Sequence, residues 1–382
     1  MKFDFNEDQE FIRNDARRFL VDRCSMEAVR DHLTGDPYTI SPLWEEICAL
    51  GWQGVAIPEA YGGLGMGYLE LCVLAEELGR VVAPVPFASS IYFAAEAILR
   101  YGSEEQKQQY LPRLASGEIV GTLAANETGD GALTFSDGCI TGRKRPVTGG
   151  ALADIAVVSA LTSEKTCVLV VVELGDQQQV DSGQLQREAL KSVDPSVRNA
   201  ELIFDNCPAQ VLGNCHDGKA ALSDLFDRAA VMLAFEQLGG ADRCLELAVD
   251  YVKERKTFGR SVGSYQAVKH KLAKMYAQNE LARSNAYYGA WALASESEEL
   301  SLAASAARVS ASESFEFAAR ESLHLHGGMG YTWEVDSHLF LKRSRDLSLR
   351  VGSVRQWKEK LLSATLAKTS GEVEPPSWLA NS

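Results

Sequence analysis

The chain has 382 residues, enough for more than one domain of ordinary size and for a substantial buried core. Its 46% hydrophobic and 24% charged content excludes a disordered or collagen-like chain. Thirty-eight Lys and Arg against 52 Asp and Glu leave a net charge of −14, which excludes nucleic acid or an anionic membrane as the main partner and leaves room for a local basic site.

From Asn6 to about Cys24, Phe11, Ile12, Phe19 and Leu20 recur at helical spacing, with Asn6 placed to cap and Glu7 and Asp8 in the first turn. An amphipathic helix is predicted there. Ser41 and Pro42, then Leu43, Trp44, Ile47 and Leu50, then Gly51 supply the cap, first-turn proline, apolar stripe and terminating glycine of a second helix. Past the glycine-rich stretch 61–67, helical patterns run over 68–80, stopping near Gly79, and over 87–101. Ser103 to Gln106 forms a capping box for a helix that ends near Gly117.

Between about 119 and 212 the pattern changes to short β-branched runs, such as 153–160 and 167–173, bounded by Gly, Asp and Ser. Helical signals return in four segments near 218–254, 262–297, 300–325 and 334–369, of lengths that suit a bundle. The predicted class is therefore α+β: an N-terminal helical domain over 1–118, a middle β domain over 119–212, a C-terminal helical bundle over 213–370 and a proline-rich tail over 371–382.

Eight cysteines without a C-x-x-C pair read as reduced thiols of a cytoplasmic protein. The N-terminus has no apolar leader, and nowhere do 18 uncharged apolar residues run together. No export or membrane span is expected.

The glycines of Tyr61-Gly62-Gly63-Leu64-Gly65-Met66-Gly67 follow no strand and lie in no βαβ unit, so they read as a turn and not as a dinucleotide loop. Around the Phe258-Gly259 break, Arg255, Arg260 and several lysines gather between two helices. That set suits either a solvated basic patch or a pyrophosphate site, since guanidinium forks and free helix N–H groups both bind phosphate. His324 and His326 at i, i+2 do not share a helical face and have no acidic or Cys ligand nearby, so no metal site is predicted. Gly327, Gly328 and Gly330 would let backbone approach either a neighbouring helix or a ligand. H-E-x-x-H and G-K-[ST] signatures are absent, so any chemistry calls for a cofactor.

Several segments in order resemble the acyl-CoA dehydrogenase family, from Phe5 to about Ala367. They are Leu50-Gly51-Trp52, Pro58-Glu59-Ala60-Tyr61-Gly62-Gly63-Leu64-Gly65 and Glu76-Glu77-Leu78-Gly79, then Arg255-Lys256-Thr257-Phe258-Gly259 with Gln266, then His326-Gly327-Gly328-Met329-Gly330-Tyr331-Thr332-Trp333-Glu334. The resemblance implies FAD held between subunits. A carboxylate would remove the α-proton of an acyl-CoA thioester while hydride leaves the β-carbon for the flavin. It further implies Arg255 on the FAD pyrophosphate, and Phe258 and Gln266 lining the cofactor from a neighbouring subunit. Thr148 would be a flavin contact, Gly327 and Gly328 would be positions of close approach, and Asp227 would lie near the CoA moiety. Electron-transfer flavoprotein would be the electron acceptor.

The departures from the family cluster at the active site. The usual base position falls on Val351 in Val351-Gly352-Ser353, and the alternative one on Ala229, followed by Ala230 where the family has Arg. Pro146 stands where an aromatic residue precedes the flavin-contact threonine, residues 126–132 reduce the family's Thr-Glu-Pro signature, and His324 takes a position that is commonly Gln. Glu236 lies seven residues after Ala229, on the same helical face, and reads either as a displaced catalytic base or as a bundle carboxylate paired with Arg or Lys. Asp227 and Asp346 are lesser candidates.

The favoured expectation is the poorly equipped subunit of a heteromeric (α2β2) acyl-CoA dehydrogenase for bulky substrates such as steroid side chains or dicarboxylates, paired with a related subunit. The alternatives are a self-sufficient homotetramer with a non-standard base, and a non-enzymatic scaffold.

Overall fold

The structure, a computed structural model, describes residues 5–126, 132–175, 178, 182–215 and 217–370, with side chains through 366. Residues 127–131 of the reduced signature and the tail 371–382 lie outside the described residues. Helices come first, then a sheet, then helices, the order expected for the α+β class.

Helix α1 (Glu7–Arg23) opens on a full capping box, with Asn6 and Gln9 bonding each other's backbone N–H. Helix α2 (Met26–Thr34), nine residues long with one buried apolar position, Val29, was not predicted, although Met26, Val29 and Leu33 recur at helical spacing. Helix α3 (Pro42–Ala49) ends against Gly51 at φ 72. Helix α4 (Tyr68–Arg80) has the expected bounds and ends one residue past Gly79. The expected helix over 87–101 is a π-helix at Ala88–Ala95 continued by α5 (Glu96–Tyr101), and α6 (Glu104–Ser116) has the predicted Ser103 box and Gly117 at φ 75.

Strands β1 (Gly121–Ala124), β2 (Thr134–Ser136), β3 (Cys139–Val147), β4 (Ile155–Leu161), β5 (Cys167–Glu173), β6 (Leu185–Ala189), β7 (Ala200–Pro208) and β8 (Gln210–Val211) form one sheet in the order β6-β7-β3-β2-β4-β5-β8. β1 adds to β4 in parallel, Gly121 opposite Ile155. Strand β4 is buried from Ile155 to Ala160 and apolar there except at Ser159, whose hydroxyl accepts from Lys144.

Helices α7 (Gly218–Glu254), α8 (Gln266–Ala294) and α9 (Leu300–Leu325) match the predicted segments closely. The fourth segment, expected as one helix over 334–369, is broken into α10 (Ser337–Leu347) and α11 (Val354–Ser370). Gly352 at φ 99 lies outside helical geometry, and the Ser353 hydroxyl and Gln356 amide oxygen each accept the other residue's backbone N–H, restarting the chain as a capped helix.

By contacts the chain divides into two compact units. One comprises the described residues within Met1–Met26, Tyr68–Ala83 and Asp227–Ser382; the other comprises Glu27–Gly67 and Pro84–Phe226. In the first, α4 and α7 cross with backbones in contact: a β-carbon on Gly79 would lie 1.9 Å from the Glu236 carbonyl oxygen, and one on Gly239 1.8 Å from that of Glu76. Around this crossing Arg13 and Arg283 donate to Glu76, and Arg17 donates twice to Glu77. In the second unit the sheet core is a continuous apolar cluster from Ala124 and Ile140 to Phe204 and Cys207. Among the described residues no helix is long and apolar enough to cross a membrane.

Candidate functional site

The basic run after α7 folds into a small hairpin. β9 (Lys256–Thr257) pairs antiparallel with β10 (Arg260–Ser261), and Phe258 and Gly259 make the two-residue turn at φ 50 and φ 81. Two positive φ values are the type I′ geometry that suits the twist of a hairpin. Glycine accepts this freely, whereas phenylalanine is held in a sparsely populated region, a strain that accumulates at functional sites. The Phe258 ring is 98% exposed. Arg255, just before the hairpin, is exposed and pairs with no carboxylate among the described residues, and Gln266 is exposed at the first position of α8. An unpaired guanidinium, an outward aromatic ring and an amide within a dozen residues form a surface suited to a phosphate-linked aromatic ligand.

The glycines after α9 separate by function. A β-carbon on Gly330 would lie 2.2 Å from the Leu323 carbonyl oxygen, so packing inside the chain demands that glycine. Gly327 needs its φ of 62, but Gly328 has neither a positive φ nor any atom within 4 Å of a β-carbon. Nothing in the chain itself asks for glycine at 328, and close approach by a ligand or another chain would. His324, nearby, is exposed, and its Nδ1 accepts from Lys271 at 3.2 Å while Lys271 also donates to Glu321 at 2.6 Å.

In the other unit, Thr148 directly follows β3. Its carbonyl accepts the Thr122 hydroxyl at 2.6 Å, and Asn126 donates to the Pro146 carbonyl at 2.9 Å. Among the described residues no hydrogen bond claims the Thr148 hydroxyl itself.

Both expected base positions hold buried apolar side chains. Ala229 is 0% exposed on α7, and Val351 is 4% exposed in the segment between α10 and α11, where its carbonyl accepts the Trp357 indole N–H at 2.9 Å. Glu236 is buried and accepts from Arg343 at 3.0 Å, with Arg350 4.0 Å from its other oxygen. Arg343 also donates to the carbonyls of Val82 and Ala83, and Arg350 donates to Asp346 at 2.7 Å. Arg308 completes the cluster through the Gln237 amide oxygen and the Leu347 carbonyl. Burial, then the neighbouring Arg350, pushes the Arg308 guanidinium down to about 9, against the pull of Asp346 and Glu236. Of the two roles open for Glu236, the geometry has the form of the buried ion pair.

Asp227, expected near CoA, is buried and accepts from Lys360 at 2.5 Å. The sequence reading missed Arg343 and Lys360 as partners. Arg343 lay within reach: it falls between Leu339, Phe340 and Leu347 on the buried face of α10, and a cation on an apolar stripe points to a buried acid.

A groove of about 370 Å³, lined among others by Arg17, Leu20, Cys24, Arg80 and Arg243, contains none of the expected site residues. Among the described residues no three His, Cys, Asp or Glu side chains gather as a metal site would require.

Residues 6–118 match the family model for the acyl-CoA dehydrogenase N-terminal domain, and residues 216–353 that for the acyl-CoA dehydrogenase C-terminal domain. The acyl-CoA dehydrogenase IpdE2 of Mycobacterium tuberculosis is 29% identical over 364 residues, 94% of this chain and 97% of that protein. The mitochondrial isovaleryl-CoA dehydrogenase of Oryza sativa subsp. japonica is 30% identical over 303 residues, 74% of this chain and 73% of that protein. A solved variant of the Tcur3481-Tcur3483 steroid ACAD is 29% identical with a TM-score of 0.85, covering 96% of this chain and 99% of that one.

Proposed function

The chain belongs to the acyl-CoA dehydrogenase family of FAD-dependent oxidoreductases acting on CH–CH bonds, and from that premise we propose that it is the catalytically degenerate subunit of a heteromeric enzyme. Ala229 and Val351 carry this reading: at both positions where the resemblance places a base, the chain buries an apolar side chain that can take no proton. Glu236, the remaining carboxylate on that helical face, is held by Arg343. Asp227 gives its carboxylate to Lys360, which supports a related partner subunit as the one that recognises CoA and abstracts the proton.

FAD, when bound, supplies the hydride acceptor. The chain's own contribution is to hold it: Arg255 on the pyrophosphate, Phe258 and Gln266 along the cofactor of the neighbouring subunit, Gly327 and Gly328 admitting it closely, with His324 beside them. Thr148 offers its unclaimed hydroxyl to the ring system. The exposed ring of Phe258 and the open space at Gly328 support this assignment, since neither is used within the chain.

The proposed substrate is a bulky acyl-CoA such as one bearing a steroid side chain or a second carboxylate. The similarity to the Tcur3481-Tcur3483 steroid ACAD supports both the substrate class and the pairing of two chains. Electron-transfer flavoprotein is the proposed electron acceptor, and the cytoplasm the proposed location.

Native mass and flavin stoichiometry test the reading, measured for the chain alone and co-expressed with the product of the adjacent gene. A mixed tetramer with two flavins per four chains, active only when mixed, is expected. A homotetramer with four flavins that turns over acyl-CoA unaided would overturn it.

A further inference from the structure

Strand β1 reads Gly-Thr-Leu-Ala and is buried at every position, so Thr122 places a hydroxyl in an otherwise apolar strand. A buried hydroxyl is costly unless it is bonded, and this one donates at 2.6 Å to the carbonyl of Thr148. The bond is not a by-product of strand pairing, because among the described residues the strand that β1 pairs with is β4. The register between β3 and β7 shifts between Lys144 and Val147, so Arg145 and Pro146 stand outside the regular ladder, and the last pair before Thr148 is Val147 with Ala200.

Two side chains from β1 and its extension take over the role of the ladder. Thr122 fixes the carbonyl of Thr148, and Asn126 fixes that of Pro146. Gly149, at φ 70, closes the turn: a β-carbon there would lie 2.4 Å from the Ser89 hydroxyl oxygen of the π-helix. β1 is itself anchored to that helix, Gly121 N–H donating to the Ser90 hydroxyl at 3.1 Å. Fixing one carbonyl fixes a peptide plane, and with it the origin of the side chain that the plane carries.

We propose that Thr122 is a positioning residue for the flavin, acting through the backbone of Thr148 to set where that residue's unclaimed hydroxyl stands. This rests on the reading that Thr148 contacts FAD.

The test uses the flavin-loaded assembly and compares wild type with Thr122→Val, Thr122→Ser, Thr148→Ala and the double variant Thr122→Val/Thr148→Ala. The readouts are the FAD dissociation constant, the visible flavin spectrum and the flavin midpoint potential. Valine keeps the shape and removes the hydroxyl, so Thr122→Val should retain its circular dichroism, shift the flavin band and bind FAD about tenfold more weakly. Thr122→Ser should restore both properties, and the double variant should be no weaker than Thr148→Ala alone, the mark of two residues acting through one contact.

If Thr148→Ala leaves flavin binding and spectrum unchanged, the reading of Thr148 fails and the proposal falls with it. If Thr148→Ala weakens FAD while Thr122→Val behaves as wild type, or if the two losses add, the positioning role alone is overturned. Should the valine variant not accumulate as folded protein, Thr122→Ala is read by the same criteria.

Discussion

Glu236 on α7 accepts a 3.0 Å hydrogen bond from Arg343 on α10, joining residues 107 positions apart inside the helical unit. Arg343 spends its other nitrogen on the carbonyls of Val82 and Ala83, just past α4, so one guanidinium ties three parts of the chain. Glu236→Gln leaves that guanidinium buried without its counter-charge. We expect a stability loss of roughly 3 kcal/mol, in the range for breaking a buried ion pair, with flavin content per folded chain unchanged. Thermal denaturation with flavin absorbance checks both; an unaltered melting temperature with abolished turnover in the assembly would instead mark Glu236 as the base.

Arg255→Ala removes an exposed guanidinium that no carboxylate neutralises among the described residues. Charge-assisted hydrogen bonds contribute about 1.5–3 kcal/mol, so FAD binding should weaken roughly 10- to 100-fold while the melting temperature of the apoprotein stays put. Equilibrium titration of the apoprotein with FAD measures it, and undiminished affinity would remove Arg255 from the cofactor site.

Gly239→Ala and Gly328→Ala should behave as opposites. The first drives a methyl against the Glu76 carbonyl at the α4–α7 crossing, and neither backbone can yield locally. Its expected cost exceeds about 3 kcal/mol, seen as lost soluble yield. The second meets nothing within the chain, so stability should change by less than about 0.5 kcal/mol. Flavin occupancy should nevertheless fall; full occupancy in Gly328→Ala would show that the open space there is not used by the cofactor.

Burial pushes the Cys24 thiol up to about 12, only partly offset by Arg343, and the Cys48 thiol up to about 11. Both values lie above the ordinary thiol value of roughly 8.5. The protonated thiols therefore contribute stability in full below that value and lose it as pH rises through the folded values. At pH 8 the native protein should alkylate slowly at Cys24, Cys72 and Cys244, all buried, and fastest at the half-buried Cys139 and Cys167. Mass spectrometry of peptides after timed iodoacetamide treatment gives the order; rapid labelling of Cys24 in folded protein would contradict its burial.

Helix ends were the most legible part of the fold. Asn6, Ser103, Gly51 and Gly117 occupy the cap positions their residue types imply, because a cap is settled by bonds within three or four residues. Gly79 shows the complementary limit. It marks the end of α4 as expected, but its missing side chain also admits the backbone of α7. Nothing within ten residues of Gly79 announces that second use. The break at 348–353 was hidden in the same way, since the apolar pattern of α10 resumes in α11 and only Gly352 and Ser353 mark the gap.

By itself the sequence determined the helix–sheet–helix order, the caps and the resemblance carried by the segments around Phe258 and Gly327, all of which are properties of residue type and short spacing. It also determined that Ala229 and Val351 can accept no proton. Tertiary structure alone decided that both are buried, that Glu236 is bound to Arg343 and Asp227 to Lys360, that Phe258 stands in solvent at positive φ, and that a buried threonine on β1 holds the carbonyl of Thr148. These are pairings across tens to hundreds of residues. Which carboxylate meets which cation, and which glycine meets which backbone, is fixed only when packing brings distant segments within a few ångströms of each other.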